Sequence, residues 1–172
     1  RFRFCAQMPD GCTGLMGAFT MANEPSFHIP YLYNYAGRPD KTQKFVRKTL
    51  ECWFRNDRMG MCGDEDGGGM SAYAVFSMMG FYPDCPGEPS YTLTAPTFEK
   101  VTITLDPKWY NGHNELVISK SGSNENGREA KRDSYDRISG MTLGRKTLKG
   151  YRISHEELTR GGELVFRCRA GK

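Results

Sequence analysis

The chain has 172 residues, 38% hydrophobic and 12% aromatic, enough for one ordinary domain with a real core or two small ones. A net charge of +4, scattered along the sequence, excludes the electrostatic footprint of a nucleic-acid binder, and the densest basic stretch, residues 128–132, carries no aromatic platform. Charged residues at 26% exclude wholesale disorder, and no apolar run approaches the about 20 residues that cross a bilayer as a helix.

The chain opens on Arg1 with a strand-like "RFRFC". That segment would be an exposed sheet edge unless something upstream covers it, so the sequence reads as a piece of a longer protein. Six cysteines stand at 5, 12, 52, 62, 85 and 168 without a C-x-x-C pair, which argues against a zinc ribbon or a thioredoxin motif. Their scatter suits free thiols, although Cys5 with Cys12, or Cys62 with Cys85, could pair in an oxidising compartment.

Residues 1–83 read as mostly helical. "SFHIPYLYNYAG" predicts a first helical segment, with Pro30 in its first turn and Gly37 as its stop. "PDKTQKFVRKTLECWF" follows, with Asp40 as a candidate cap and Gln43 as its capping-box partner. Phe45, Val46, Thr49, Leu50, Trp53 and Phe54 fall on one stripe, while Lys44, Arg47, Lys48 and Glu51 face out, the pattern of an outer amphipathic helix. Trp53 lies on the buried side, which favours core over a sugar platform. From Met70 to Met79 the next helix is apolar nearly all round, with Gly80 as its stop, so it should be enclosed by protein.

After Pro83 the period changes to two. "SYTLT", "FEKVTITLD", "NELVISK" and "GELVFRCR" alternate apolar and polar residues, as half-buried strands do. A polar stretch from Lys120 to Ser134 reads as a surface loop or hairpin tip. "SHEELTRGG" adds a short helix with Ser154 and Glu157 as its capping box. Residues 84–172 therefore predict a mostly antiparallel sheet or sandwich, and the chain as a whole an α+β fold.

Chemistry concentrates in two loops: "NEP", Asn23 to Pro25, and "GDED", Gly63 to Asp66. Each precedes a predicted helix, where acids can simply complement the helix dipole. Three glycines, Gly67 to Gly69, give the second loop more backbone freedom than a cap needs, and glycine is costly unless positive φ or close approach requires it. The helix behind them should also hold Asp64 and Asp66 at the edge of a core. An EF-hand fails, because Val75 would occupy the position of the bidentate glutamate. Hard oxygen donors such as Asn23 and Glu24 still suit Ca²⁺ in a site built from several loops. Paired carboxylates also suit inverting glycoside hydrolysis, where base and acid stand roughly 6.5–9.5 Å apart. Asp64 and Asp66, two residues apart, would share the base role, and the acid would come from elsewhere.

"NEPSFHIPYLYNYAG", "KTQKFVRK", "GDEDGGGMSAYAVFSMMGFYP", "APTFEKVTI" and "SHEELTRGGELVF" occur in that order between Leu15 and Phe166. Together they resemble the C-terminal portion of glycoside hydrolase family 92, the calcium-dependent, inverting exo-α-mannosidases. The resemblance implies that residues 1–83 are the last helices of an (α/α)₆ barrel and residues 84–172 a terminal β-region. It implies Asp64 and Asp66 as the general-base pair, with Asp66 activating water, and Asn23 and Glu24 as part of the Ca²⁺ site. The substrate would be a mannose-containing glycan of the N-glycan or mannan type. His28 is then a candidate sugar contact, with a hydrogen-bonded structural histidine as the competing reading. The general acid would lie upstream of Arg1, leaving these residues alone inactive, and the family's habit implies a secreted or periplasmic protein. Two departures stand out: Ala22 where a glycine usually precedes "NEP", and Asp40 where an aromatic is common. The competing function is a non-catalytic carbohydrate-binding or structural β-module, which would have no use for the glycine-loosened acidic loop.

Overall fold

The computed structural model describes residues 19, 21–122 and 136–170. The strand-like opening, the Cys5–Cys12 pair, the 128–132 basic stretch and most of the polar Lys120–Ser134 segment lie outside the described residues. Two 3₁₀ turns, Glu24–Ser26 and Ile29–Tyr31, lead into a short helix α1 (Leu32–Tyr35) and two longer ones, α2 (Pro39–Trp53) and α3 (Gly69–Met79). Strands β1 (Phe81–Tyr82), β2 (Ser90–Leu93), β3 (Lys100–Thr104), β4 (Glu115–Ser121), β5 (Asp136–Leu143), β6 (Lys146–Thr147) and β7 (Arg152–Ser154) come next. Helix α4 (His155–Thr159) and strand β8 (Glu163–Ala170) complete the described chain. The result is an α+β fold.

The β-region is two sheets sharing one core. A three-stranded sheet runs β1-β2-β7 and a five-stranded sheet runs β3-β4-β8-β5-β6. All pairs are antiparallel except β4 with β8. That pair is parallel because the chain leaves β4 and returns by a long crossover carrying β5 to β7 and α4. Inward residues of every layer meet: Phe81, Leu93, Leu116, Ile118, Met141, Ile153, Leu158, Leu164 and Phe166 form one buried cluster. The four strands predicted from alternation are β2, β3, β4 and β8. The sequence reading missed β5, where a bulge between Ile138 and Gly140 shifts the register and breaks the two-residue rhythm.

Helix α2 starts differently from expectation. Arg38 takes the N-cap position with no side-chain cap, Pro39 sets the first turn, and Asp40 turns back to Arg38 at 2.9 and 2.8 Å. The Arg38 guanidinium holds the Asp40 carboxyl down at about 2. Gln43 is buried and does not cap; its Oε1 accepts the Ile138 N–H at 2.9 Å, joining α2 to β5. Because α2 packs on both α3 and β5, its buried arc shifts to Thr42, Gln43, Val46, Thr49 and Leu50. Phe45 falls off that arc at 41% exposure and stacks on Tyr33 instead. Trp53 packs against the helical core, as the stripe predicts.

Helix α3 buries Met70, Tyr73, Ala74 and Ser77 and ends at Gly80, whose φ is +95°. It is not enclosed: Val75 stands 53% exposed on the opposite face. Met70, Tyr73 and Ala74 pack into the helical core and Phe76 and Met79 against the β-region core, but among the described residues nothing covers Val75. Cys62 and Cys85 are both free thiols, so the pairing considered for an oxidising compartment is not formed. Ser154 caps α4 by accepting the Glu157 N–H at 3.0 Å, while the Glu157 carboxylate pairs with Lys146 and does not return to the cap, so only half of the capping box forms.

Candidate active-site loops

The two acidic loops meet at the N-terminus of α3. In the first, Asn23 is the N-cap of a 3₁₀ turn: its Oδ1 accepts the Glu24 N–H at 2.9 Å, and Pro25 fixes the next φ. Phe27, two residues further on, drives this turn into the helical core. Its ring stacks on Tyr73 of α3 at 5.0 Å, and Tyr73 also meets Tyr82 at 5.2 Å. Tyr31 stacks on Tyr82 at 5.0 Å and shares a 2.8 Å hydrogen bond with Ser77. Burial pushes the Tyr31 and Tyr73 phenols well up and Tyr82 to about 12, so all three are neutral packing groups.

The second loop links α2 to α3. After Phe54 the chain folds on itself, with the Arg55 N–H on the Gly60 carbonyl at 2.9 Å. It then lies along the first loop, where the Cys62 thiol donates to the Met21 carbonyl at 3.5 Å. Gly63 has φ +65°, and a Cβ there would stand 2.2 Å from the Ala22 carbonyl oxygen; the approach of the two backbones requires glycine. Asp66 follows at φ +52°, a left-handed conformation that aspartate tolerates better than most side chains. Gly67 and Gly68 continue at +64° and +104°. The glycine run thus serves positive φ, and Gly69 then lets Glu24 in close, since a Cβ there would meet Glu24 Oε1 at 3.3 Å.

These constraints bring Asp66 beside Glu24. Lost hydration where the loops meet, then the charge and hydrogen-bonding reach of the Glu24 carboxylate, push the Asp66 carboxyl up. Among the described residues no lysine or arginine forms an ion pair with Glu24, Asp64, Glu65 or Asp66. The sequence expectation that Asp64 and Asp66 sit at the edge of a core is corrected: both are exposed, on a loop that turns outward through the positive φ of Gly63, Asp66 and Gly67. Asp64 occupies the same loop without a hydrogen bond to the Glu24–Asp66 pair. His28 is exposed too and makes no cap hydrogen bond.

Glu65, given no role by the sequence, is the best-anchored acid of the three. Its Oε2 accepts the Gly68 N–H and its Oε1 the Ser71 N–H at 3.0 Å, capping α3. Hydrogen bonds from Ser71, side chain first and then backbone, hold its carboxyl below the usual range. The signal lay in the spacing, an acid three residues before a helical N–H.

As a metal site the donor set is all hard oxygen, which fits Ca²⁺ and not a thiolate or imidazole metal. Asn23 Oδ1 already serves as a cap, so Glu24 is the freer donor. Among the described residues no three His, Cys, Asp or Glu side chains converge, so backbone carbonyls, water or substrate oxygens would complete the six to eight ligands Ca²⁺ takes.

Residues 3–170 match the glycosyl hydrolase family 92 catalytic domain. The chain belongs to this family. A family GH92 inverting mannosidase from Bacteroides thetaiotaomicron VPI-5482 is similar to it, with a TM-score of 0.72 and 37% identity over 89% of this chain and 19% of that one. A family GH92 α-mannosidase from Bacteroides thetaiotaomicron, in complex with mannoimidazole, gives a TM-score of 0.75 and 26% identity over 96% of this chain and 21% of that one. A curated relative, an uncharacterized secreted glycosidase of Arthroderma benhamiae, is 40% identical over 83 residues, which are 48% of this chain and 11% of the relative. The family 92 chain described here thus spans about a fifth of its solved relatives' length.

Proposed function

We propose that this chain is the base-bearing part of a calcium-dependent, inverting α-mannosidase acting on terminal α-mannosides of N-glycans or mannan. The observation that carries this reading is the convergence of the Asn-Glu-Pro turn and the Gly-Asp-Glu-Asp loop, with Asp66 against Glu24. Family membership and the mannosidases named above support the substrate class. The curated relative's description supports a secreted protein.

In this account Asp66 takes a proton from water as that water attacks the anomeric carbon, and Asp64, on the same loop, shares in orienting it. Glu24 and Asn23 would hold Ca²⁺, which would supply positive charge for the sugar hydroxyls. The exposed His28 lies on the turn after Glu24, where it can meet the sugar. The leaving-group proton comes from an acid outside these residues. The bare face of α3 is covered by further helices of an (α/α)₆ barrel in the full-length protein, residues 1–83 completing that barrel and residues 84–172 forming the terminal β-region.

The test is turnover of a p-nitrophenyl or natural α-mannoside by the full-length protein. Asp66→Asn should lower kcat by roughly 10²–10⁴-fold, the usual worth of a general base. EDTA should abolish turnover, and Ca²⁺ should restore it. Undiminished activity of Asp66→Asn removes the base assignment, and undiminished activity in EDTA removes the metal.

A further inference from the structure

We propose that Glu65 is a positioning residue for Asp66, an inference that rests on the α-mannosidase reading above. The three consecutive acids differ in what their oxygens do. Both Glu65 oxygens are occupied, Oε2 by the Gly68 N–H and Oε1 by the Ser71 N–H. Hydrogen bonds to its charged form make a carboxylate less basic and hold it in place, so Glu65 is suited to fixing the loop and poorly suited to taking a proton from water. Its neighbour Asp66 makes no such bond to the helix, and Glu24 comes in beside the same turn, its Oε1 3.3 Å from where a Cβ of Gly69 would stand.

The clamp spans the residues whose backbone is least favourable. Asp66, Gly67 and Gly68 all have positive φ, and the two Glu65 hydrogen bonds close over them, from Glu65 to Gly68 and on to Ser71 in the first turn of α3. Glycine offers no barrier to leaving this conformation. Without the clamp, the segment carrying Asp66 keeps two backbone bonds, from the Met70 N–H to the Glu65 carbonyl at 3.3 Å and from the Gly69 N–H to the Asp66 carbonyl, and the approach of Gly63 to Ala22, but loses its two side-chain ties. Glu65 therefore converts a loose glycine turn into a fixed mount for Asp66, and the glycines follow the positive-φ path at little cost. A misplacement of about 1 Å in such a group can cost about 10²-fold in rate.

The experiment compares Glu65→Ala, Glu65→Gln and Asp66→Asn in the full-length protein, reading kcat and KM separately together with amide hydrogen exchange at Gly68 and Ser71. Glu65→Ala should lose about 10²-fold in kcat with KM within a few-fold, and both amides should lose protection. Glu65→Gln keeps an acceptor oxygen without the charge, and should recover most of the lost kcat and part of the protection. A wild-type kcat in Glu65→Ala overturns the proposal. So does a Glu65→Gln variant as inactive as Asp66→Asn, because Glu65 would then act through its charge in the chemistry. If Glu65→Ala fails to fold, Glu65→Gln and the wild-type amide protection decide the matter, and unprotected Gly68 and Ser71 amides in the wild type overturn the clamp. Full turnover by Asp66→Asn would instead sink the base assignment, a result distinct from any of these.

Discussion

The β-region and the helical region bury their apolar side chains in different ways. Between the two sheets the inward residues meet partners from the opposite layer, and Leu93, Leu164 and Phe166 have no accessible surface. The helical region is less complete among the described residues: Tyr31, Met70 and Tyr73 are fully buried, yet Leu32, Phe45 and Val75 stand 47%, 41% and 53% exposed. Two sheets face to face close a core by themselves, whereas an all-apolar helix needs a neighbour on each side. The acidic loops lie at the N-terminus of α3, where Asp64 and Asp66 are exposed.

The difference can be broken most sharply at Val75. In the full-length protein, with further barrel helices over α3, Val75→Lys buries a charge and should cost several kcal/mol, read from urea denaturation. A cost within about 0.5 kcal/mol, ordinary for a surface site, would mean that the face is open to water. The joint between the regions comes next. Gln43→Ala leaves the buried Ile138 N–H without its acceptor and should cost about 1–3 kcal/mol, with exchange at that amide accelerated. A neutral result would mean that α2 and β5 are held by apolar packing alone.

The smallest effect belongs to Asp40, whose carboxyl is lowered from 3.8 to about 2 by Arg38. A depressed folded-state value stabilises above the unfolded value and is lost as pH falls through the folded one. Wild type should therefore lose this contribution between about pH 4 and pH 2, and Asp40→Asn should flatten that part of the curve. Because the pair is partly exposed, the change should not exceed about 0.5 kcal/mol.

What was legible in the sequence follows the same division. Period-two alternation located β2, β3, β4 and β8, because each strand has one buried face. Period 3.6 located α2, but could not say that Gln43 would serve β5 in place of a cap, since that bond joins residues 95 apart. The acidic loop was visible as composition, and its glycines as a demand for positive φ or close approach. The structure uses both. What remained hidden was the division of labour within "DED": identical charge in sequence, but Glu65 is fastened to backbone N–H groups while Asp66 takes a positive φ and its carboxyl is pushed up by lost hydration and by the Glu24 charge.

The meeting of Asp66 with Glu24 is tested most directly by a double-mutant cycle in the full-length protein, with kcat/KM for an α-mannoside measured for Glu24→Gln, Asp66→Asn and the pair. Groups that act in one site should be strongly non-additive, the double variant losing little more than the worse single one. Losses that simply multiply would show that the two carboxylates work independently, and would contradict the site described here.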